Sequence, residues 1–499
     1  MCIFNRRRGQ SGGIATDSIL LVFVRIVTMS VSIIQAMILS RTFTKTDYGT
    51  YSQGILIISF LSPIASLGLE NAVNYFFNKF SEKKKKQEYI DTIFSVSFLS
   101  GIICGLLILL FRNVIVDYFN NSAVLGLILY IAFRPCIQNL ISLYQPVFIS
   151  SGYAKIIAVR NLIISIVQIL IVGSVSYFFN DIKLIFLLLL LLDISQLICF
   201  SWIYRKREFA IRVIKINFNF IKEILVYAVP MMVSSSIGTI SINLDKLMIS
   251  GLMSTEDFAL YSNVSKELPF SFIASSFTAV VTPYLMKHIS RGEKDKFKKL
   301  WSEYLELGYK VTWPLCVGAA VLSPEIIQVL YSDTYLTLDG VIVFCLYTIV
   351  AMFRFTYFGI VPASLGRTKV ILIYSAIGCA INVSLNYPLY LLMGMPGPAL
   401  ATVVSMIISS YLYFRESSRL VQIKITEVLK PSKIIILFSE MLCAGSVTVI
   451  FARFIESKVS NIFICFGLEY FLFVGIVYSV NARSLLRLIR SMNNENLTS

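Results

Sequence analysis

The sequence predicts an all-α integral membrane protein of about 14 transmembrane helices, built as two six-helix lobes related as parallel repeats, with two further helices towards the C-terminus. Three observations predict it. Hydrophobic residues make up 57% of the chain and charged ones 14%, with a mean hydropathy of +0.77, which is more apolar surface than the core of a soluble domain can hide. Apolar runs of about 20 residues, enough to cross roughly 30 Å of hydrocarbon, recur between short polar joints. Finally, SRTFTKTDYGTYS at 40–52 returns at an offset of 210 as SGLMSTEDFALYS at 250–262.

Taken in order, residues 1–16 read as a cytoplasmic leader, because MCIFNRRRGQSGG lacks the small-residue cleavage pattern of a signal peptide. Spans near 17–40, 48–76, 90–111, 122–150, 157–178 and 184–204 make the first lobe, 17–204. A basic cytoplasmic linker, 205–223, leads to the second lobe, 224–414, with spans near 224–250, 258–286, 301–322, 340–364, 370–392 and 398–414. A basic cytoplasmic loop, 415–433, precedes the last two spans in 434–480, near 434–452 and 460–480, and 481–499 is a cytoplasmic tail.

Charge sets the orientation. With the N-terminus inside, inner segments carry 31 Lys and Arg against 6 on outer ones, which places both termini in the cytoplasm. The net charge of +16 then reads as topology signals beside anionic lipid rather than as a nucleic-acid surface. Eight of the nine cysteines lie in or at the ends of apolar spans without C-x-x-C spacing, and His288 is the lone histidine, read as a solvated loop residue. Zinc chemistry and His-based catalysis have almost no raw material, so no metal and no enzyme are expected.

Six spans separate the two copies of the opening stretch. An even number sends both copies into the membrane the same way and relates the lobes by an axis along the membrane normal. A second echo aligns SGYAKII at 151–157 with LGRTKVI at 365–371, pairing Gly152 with Gly366 and Lys155 with Lys369 before a fifth helix in each lobe. Asp47 and Asp257, just ahead of each lobe's second helix, suit capping of free N–H groups and the helix dipole.

Seven cations remain within spans: Arg25, Arg134, Arg160, Lys246, Lys266, Lys310 and Arg354. A cation at mid-bilayer costs about 2.5–3.5 kcal/mol on insertion scales, so it should face protein or water. Arg160 and Lys310 lie close enough to the inner face to snorkel. Arg25 heads a polar stripe of Thr28, Ser32 and Gln35 on the first helix; Arg134 heads Gln138, Ser142 and Gln145 on the fourth; Ser235, Thr239 and Asn243 lead to Lys246 on the seventh. These stripes, with Lys266 and Arg354, read as the lining of a cationic cavity. The structural alternative is that Asp245 or Glu267 pairs with a cation and the stripes serve helix packing. Asp193 and Asp245 read as coupling or structural acids, and Glu70, with Asn71 and Asn74, as either helix-contact or sugar-contact residues.

NLDKLMISGLMSTEDFALYS (243–262), SLGLENAVNYFF (66–77), ASLGRTK (363–369) and NYPLYLLMGMPGPALATVVS (386–405) resemble the recurring motifs of Wzx-type polysaccharide flippases of the multidrug/oligosaccharidyl-lipid/polysaccharide exporter superfamily. The likeness covers most of the chain; Pro398 departs from it where a small residue is usual, as does the fourteen-span count, since many relatives are read with twelve. The resemblance implies a bacterial inner or plasma membrane and an undecaprenyl-pyrophosphate-linked oligosaccharide carried from the inner to the outer leaflet for O-antigen, capsule or exopolysaccharide synthesis. It also implies partnership with a polysaccharide polymerase and chain-length regulator, with no cofactor and with H+ or Na+ coupling left open. Arginine suits pyrophosphate because its planar donors bind two oxygens at once. The rival readings are a drug antiporter of the same fold, which would want buried acids in the first lobe, and a membrane-embedded glycan polymerase, which would want catalytic acids on a large outer loop. The most acidic outer loop here holds only Glu325, Asp333 and Asp339.

Overall fold

Backbone N–H and C=O groups in hydrocarbon must find partners within the protein, so each apolar run closes into helix. The structure, a computed structural model, describes residues 14–80, 82–266, 268, 270–365, 367–459 and 461–497. The first helices are α1 (Ile14–Thr42), α2 (Lys45–Ser66), α3 (Leu69–Lys79), α4 (Lys83–Leu110), α5 (Arg112–Phe119), α6 (Ile128–Ser150), α7 (Ala154–Phe178), α8 (Ile182–Arg207) and α9 (Phe218–Leu252). After them come α10 (Thr255–Val264), α11 (Ser271–Ser290), α12 (Lys294–Val321), α13 (Ser323–Tyr331), α14 (Leu338–Phe353) and α15 (Ile360–Ser364). The last are α16 (Thr368–Met393), α17 (Pro396–Val421), α18 (Ile425–Val428), α19 (Pro431–Glu456) and α20 (Ile462–Leu497).

Among the described residues ten helical segments are long and apolar enough to cross a bilayer, and α12 with α13, bent by 80°, makes an eleventh if the pair is one span. Three of the fourteen expected spans fall on other material. The first lies on α1, whose apolar part Val27–Thr42 is short; the eighth and tenth lie on the interrupted pairs α10–α11 and α14–α15.

The chain divides into two compact units, with the boundary between Ala259 and Leu260. Helix α9, assigned by sequence to the second lobe, packs along α2 and α3 in the first unit. Polar ties at both ends hold it there: Gln53 Nε2 donates to Ser250 Oγ at 3.2 Å, and Lys79 Nζ lies 2.7 Å from Glu223 Oε1. The first unit's core is aromatic at its basic end, where Tyr89 of α4 stacks on Phe220 of α9 with ring centroids 4.0 Å apart. In the second unit, buried Trp301 and Tyr304 of α12 pack with Phe355, Phe414 of α17 and Phe473 of α20.

Both echoes in the sequence are backbone devices. Thr44 Oγ1 accepts from the Asp47 N–H at 3.1 Å and donates to Asp47 Oδ2 at 2.7 Å; 210 residues on, Ser254 Oγ accepts from the Asp257 N–H at 3.1 Å and donates to Asp257 Oδ2 at 2.6 Å. This corrects the sequence assignment: the hydroxyls are the caps, and each acid sits three residues later, holding the cap and complementing the dipole. At the second echo the Tyr153 N–H donates to Phe148 O and the Arg367 N–H to Pro362 O, both at 2.8 Å and 214 residues apart. These are matching helix terminations; Gly366 itself lies outside the described residues. The motif at 386–405 turns on Gly394, whose φ of +66° and ψ of −135° exclude side-chain-bearing residues and allow α16 to fold back on α17.

Thr44→Ala is expected to lower stability by about 1 kcal/mol and Thr44→Ser by almost nothing, since only the first removes the hydroxyl acceptor. Thermal unfolding of the detergent-purified protein checks it; equal effects of the two substitutions would remove the cap.

Candidate functional site

Two helices of the second unit break inside expected spans, and each break carries a cation. Lys266 comes just after the end of α10, and Arg354 ends α14. A break frees backbone carbonyls that need new partners in hydrocarbon. Trp313 Nε1 of α12 donates to Met352 O at 3.0 Å, and Ser417 Oγ of α17 donates to Phe358 O at 3.2 Å. Thr356 Oγ1 donates to the buried Tyr304 hydroxyl at 2.8 Å, and the same hydroxyl lies 2.6 Å from Thr278 Oγ1 of α11. The break that begins at Arg354 is therefore braced from three helices. Lys266 Nζ donates to Asn263 Oδ1 at 3.4 Å, one turn back on α10.

In the first unit Arg134 does not stand alone. Its Nε lies 3.6 Å from Asp193 Oδ2 of α8, and its guanidinium lies 5.6 Å from the Tyr130 ring centroid. Asp193 is 3% exposed, Oδ1 accepts from Gln196 Nε2 at 3.2 Å, and Gln138 reaches the same carboxylate. Arg160 joins from α7: Nη1 donates to Asn161 Oδ1 at 2.8 Å, Nη2 donates to Gln196 Oε1, and the guanidinium lies 5.3 Å from the Phe200 ring centroid. Arg160 is thus held inside the unit through both terminal nitrogens rather than extended towards the inner face. Two guanidinium groups around one carboxylate leave a net positive charge on the cluster, in which Arg134 is half-buried.

The remaining predicted residues are spread over three helices of the first unit and the start of a fourth. On α1, Thr28 and Gln35 are half-buried and Ser32 is exposed, with Oγ bonded to Met29 O at 2.8 Å; the side chain of Arg25 lies outside the described residues, as does Glu267. On α6, Ser142 bonds Asn139 O at 2.8 Å and Gln145 is exposed. On α9, Ser235 is exposed, Thr239 accepts from Asn243 Nδ2 at 3.2 Å through its carbonyl, and Lys246 is half-buried. Asp245 is buried at 1% exposure, its Oδ1 taking the Lys246 N–H at 2.8 Å. Glu70 is exposed in the first turn of α3.

Two more sequence readings are corrected. Lys310 is buried at 8% exposure and bonds Glu306 Oε1 at 2.9 Å and Ser484 Oγ of α20 at 2.7 Å, while Lys433 of α19 holds Glu306 Oε2 at 2.6 Å. This cluster fastens the last two helices to α12. His288 is 6% exposed and sits 2.6 Å from Glu293 Oε2, whose carboxyl it holds below the usual range, so it is no solvated loop residue. Sequence reading also passed over Asn382 and Asn386, buried on α16. Asn382 Nδ2 donates to Thr402 and Ser405 of α17 at 3.2 Å each, and Asn386 Nδ2 donates to Asn382 Oδ1 at 2.9 Å. Their i, i+4 spacing on an apolar helix was the available signal.

The polytopic helical fold is shared with solved structures of a lipid II flippase and of a multidrug transporter of the MOP superfamily. The chain belongs to the polysaccharide biosynthesis protein family, whose model matches residues 38–339. It is 19% identical over 304 residues to the capsular polysaccharide biosynthesis protein CapF of Staphylococcus aureus, covering 60% of this chain and 72% of that protein. It is 28% identical over 152 residues to the probable lipid II flippase MurJ of Bdellovibrio bacteriovorus, covering 29% of each. Among solved structures it resembles a lipid II flippase MurJ in an inward closed conformation, with a TM-score of 0.71 and 17% identity over 95% of this chain and all of that one. An inward-facing multidrug transporter of the MATE family superposes with a TM-score of 0.61 and 12% identity, over 80% of this chain and 98% of that one.

Proposed function

We propose that the protein moves an undecaprenyl-pyrophosphate-linked oligosaccharide from the inner to the outer leaflet of a bacterial cell membrane, both termini being cytoplasmic. The observation that carries this reading is the pair of cations at helix breaks, Lys266 and Arg354, the second of them braced by Trp313, Ser417 and Tyr304. Interrupted helices present side chains and free backbone dipoles to a substrate at membrane depth, and a fixed guanidinium takes two phosphate oxygens at once. Arg25, Arg134 and Lys246 are the candidate cations of the first unit, and Thr28, Ser32, Gln35, Gln138, Ser142, Gln145, Ser235, Thr239 and Asn243 its candidates for sugar hydroxyls. The six-helix lobes at 17–204 and 224–414 rock about this site. No covalent bond changes, and the glycan passes to a polymerase and chain-length regulator outside. The drug-antiporter alternative needs a free buried acid in the first lobe, whereas Asp193 is engaged by Arg134 and Gln196.

The test is transport of a fluorescent lipid-linked oligosaccharide in proteoliposomes, per folded molecule. Arg354→Ala is expected to lower substrate affinity about tenfold to hundredfold, the equivalent of about 1.5–3 kcal/mol for a charge-assisted hydrogen bond, and Arg354→Lys by less. Arg134→Ala also strands Asp193, so it is paired with Asp193→Asn. Wild-type transport in all of these variants would remove the cationic site.

A further inference from the structure

Helices α2 and α4 touch where Ser100 Oγ donates to Ala65 O at 2.5 Å, and from there they diverge. The chain turns at Phe111 into α5, whose apolar side carries Val114, Ile115 and Tyr118 over the open end of the gap; Tyr118 is pinned by its hydroxyl to Leu247 O of α9 at 3.1 Å. The result is a cleft of about 790 Å³ walled almost wholly by carbon, with Phe60 and Leu61 on one side and Ile103 and Leu107 on the other. Ile103 is 58% exposed and Leu107 48%, so the cleft opens sideways towards the bilayer. None of these residues serves the cationic site.

A carbon-lined space of this size does not hold water, and left empty it forfeits the dispersion contacts of every atom facing it. Arg112 is exposed next to Phe111, at the start of α5, and Asp117 comes five residues later, about 140° around the helix. We propose that the cleft holds one hydrocarbon chain of a phosphate-headed membrane lipid, with the phosphate on Arg112. The cleft lies at the end of α4 away from the lysine run 83–86, so the lipid belongs to the leaflet opposite those lysines, the outer one in the orientation given by charge. A bound chain there wedges α2 from α4 and stiffens the helix that also carries the Thr44 cap and the contacts to α9.

Native mass spectrometry of the full-length protein, released from detergent with added phosphatidylglycerol, tests the proposal. Wild type is expected to keep one phosphatidylglycerol. Ile103→Trp, which fills the cleft from an exposed position, is expected to lose it. Arg112→Ala is expected to bind about tenfold more weakly, matching wild type with diacylglycerol, which has the chains without the phosphate. Thermal unfolding in detergent shows that both variants are folded. Equal retention by wild type and Ile103→Trp, or a second copy of the chain in place of lipid, overturns the site. Loss on Ile103→Trp with indifference to Arg112→Ala and to the phosphate overturns the phosphate-headed ligand.

Discussion

Thr46→Cys and Glu256→Cys, joined by a short bifunctional methanethiosulfonate reagent, are expected to stop transport completely and to restore it on reduction. The two residues are equivalent under the repeat, 210 positions apart, and they meet: Thr46 Oγ1 donates to Glu256 Oε1 at 2.8 Å. The seam around them is tight. A Cβ on Gly49 would lie 2.2 Å from Thr255 O, so only glycine lets α2 approach the turn before α10. One helical turn deeper, Gln53 bonds Ser250 at 3.2 Å, and Asn121 Nδ2 spans Thr50 Oγ1 and Gln53 Oε1 at 2.8 and 2.7 Å. The seam lies inside the first compact unit, and under the proposed function release of a head group at this face parts it between the two copies of the repeat. The measurement is transport before cross-linking, after it and after dithiothreitol, in a background without accessible native thiols, with each single cysteine as control. Full-rate transport with the cross-link in place would show that the seam stays shut throughout the cycle.

Glu306→Ala is expected to cost about 3–5 kcal/mol, the usual penalty for breaking a buried ion pair by removing one partner. Glu306 and Lys310 are 6% and 8% exposed, and the carboxylate holds both Lys310 and Lys433. Without it, Lys310 keeps its bond to Ser484 but is left in an apolar place without a counter-charge. The double substitution Glu306→Leu with Lys310→Met is expected to recover most of the loss, because it removes both charges together. Thermal unfolding in detergent is the measurement; an unchanged unfolding temperature for Glu306→Ala would mean that the cluster does not fasten α19 and α20 to α12.

Hydropathy alone made the helical membrane class legible, because so much backbone in hydrocarbon is satisfied most directly by helix. The motif at 243–262 and its companions carried the family. The repeats were legible as repeats but were misread in detail: spacing pointed to Asp47 and Asp257, whereas the capping oxygens belong to Thr44 and Ser254, since a hydroxyl at the cap position reaches the third N–H while the acid there is already inside the first turn. Among the candidate site residues, the positions of Lys266 and Arg354 in the chain were visible, but the breaks that carry them were not. Apolar runs at 258–286 and 340–364 read as continuous helix; in the second, the break is held by Trp313, Ser417 and Tyr304, partners tens of residues away that periodicity does not show.

Composition and period are local properties, and they were enough for the membrane class and the places where a cation lies within an apolar run. The company each charge keeps was decided by packing alone. Arg134 and Asp193 are 59 residues apart in sequence and 3.6 Å apart in space, and Glu306 and Lys433 are 127 apart and 2.6 Å apart. A charge inside a bilayer is tolerable only beside a partner or water, and which partner stands there depends on which helix faces pack together, something helical periodicity leaves open.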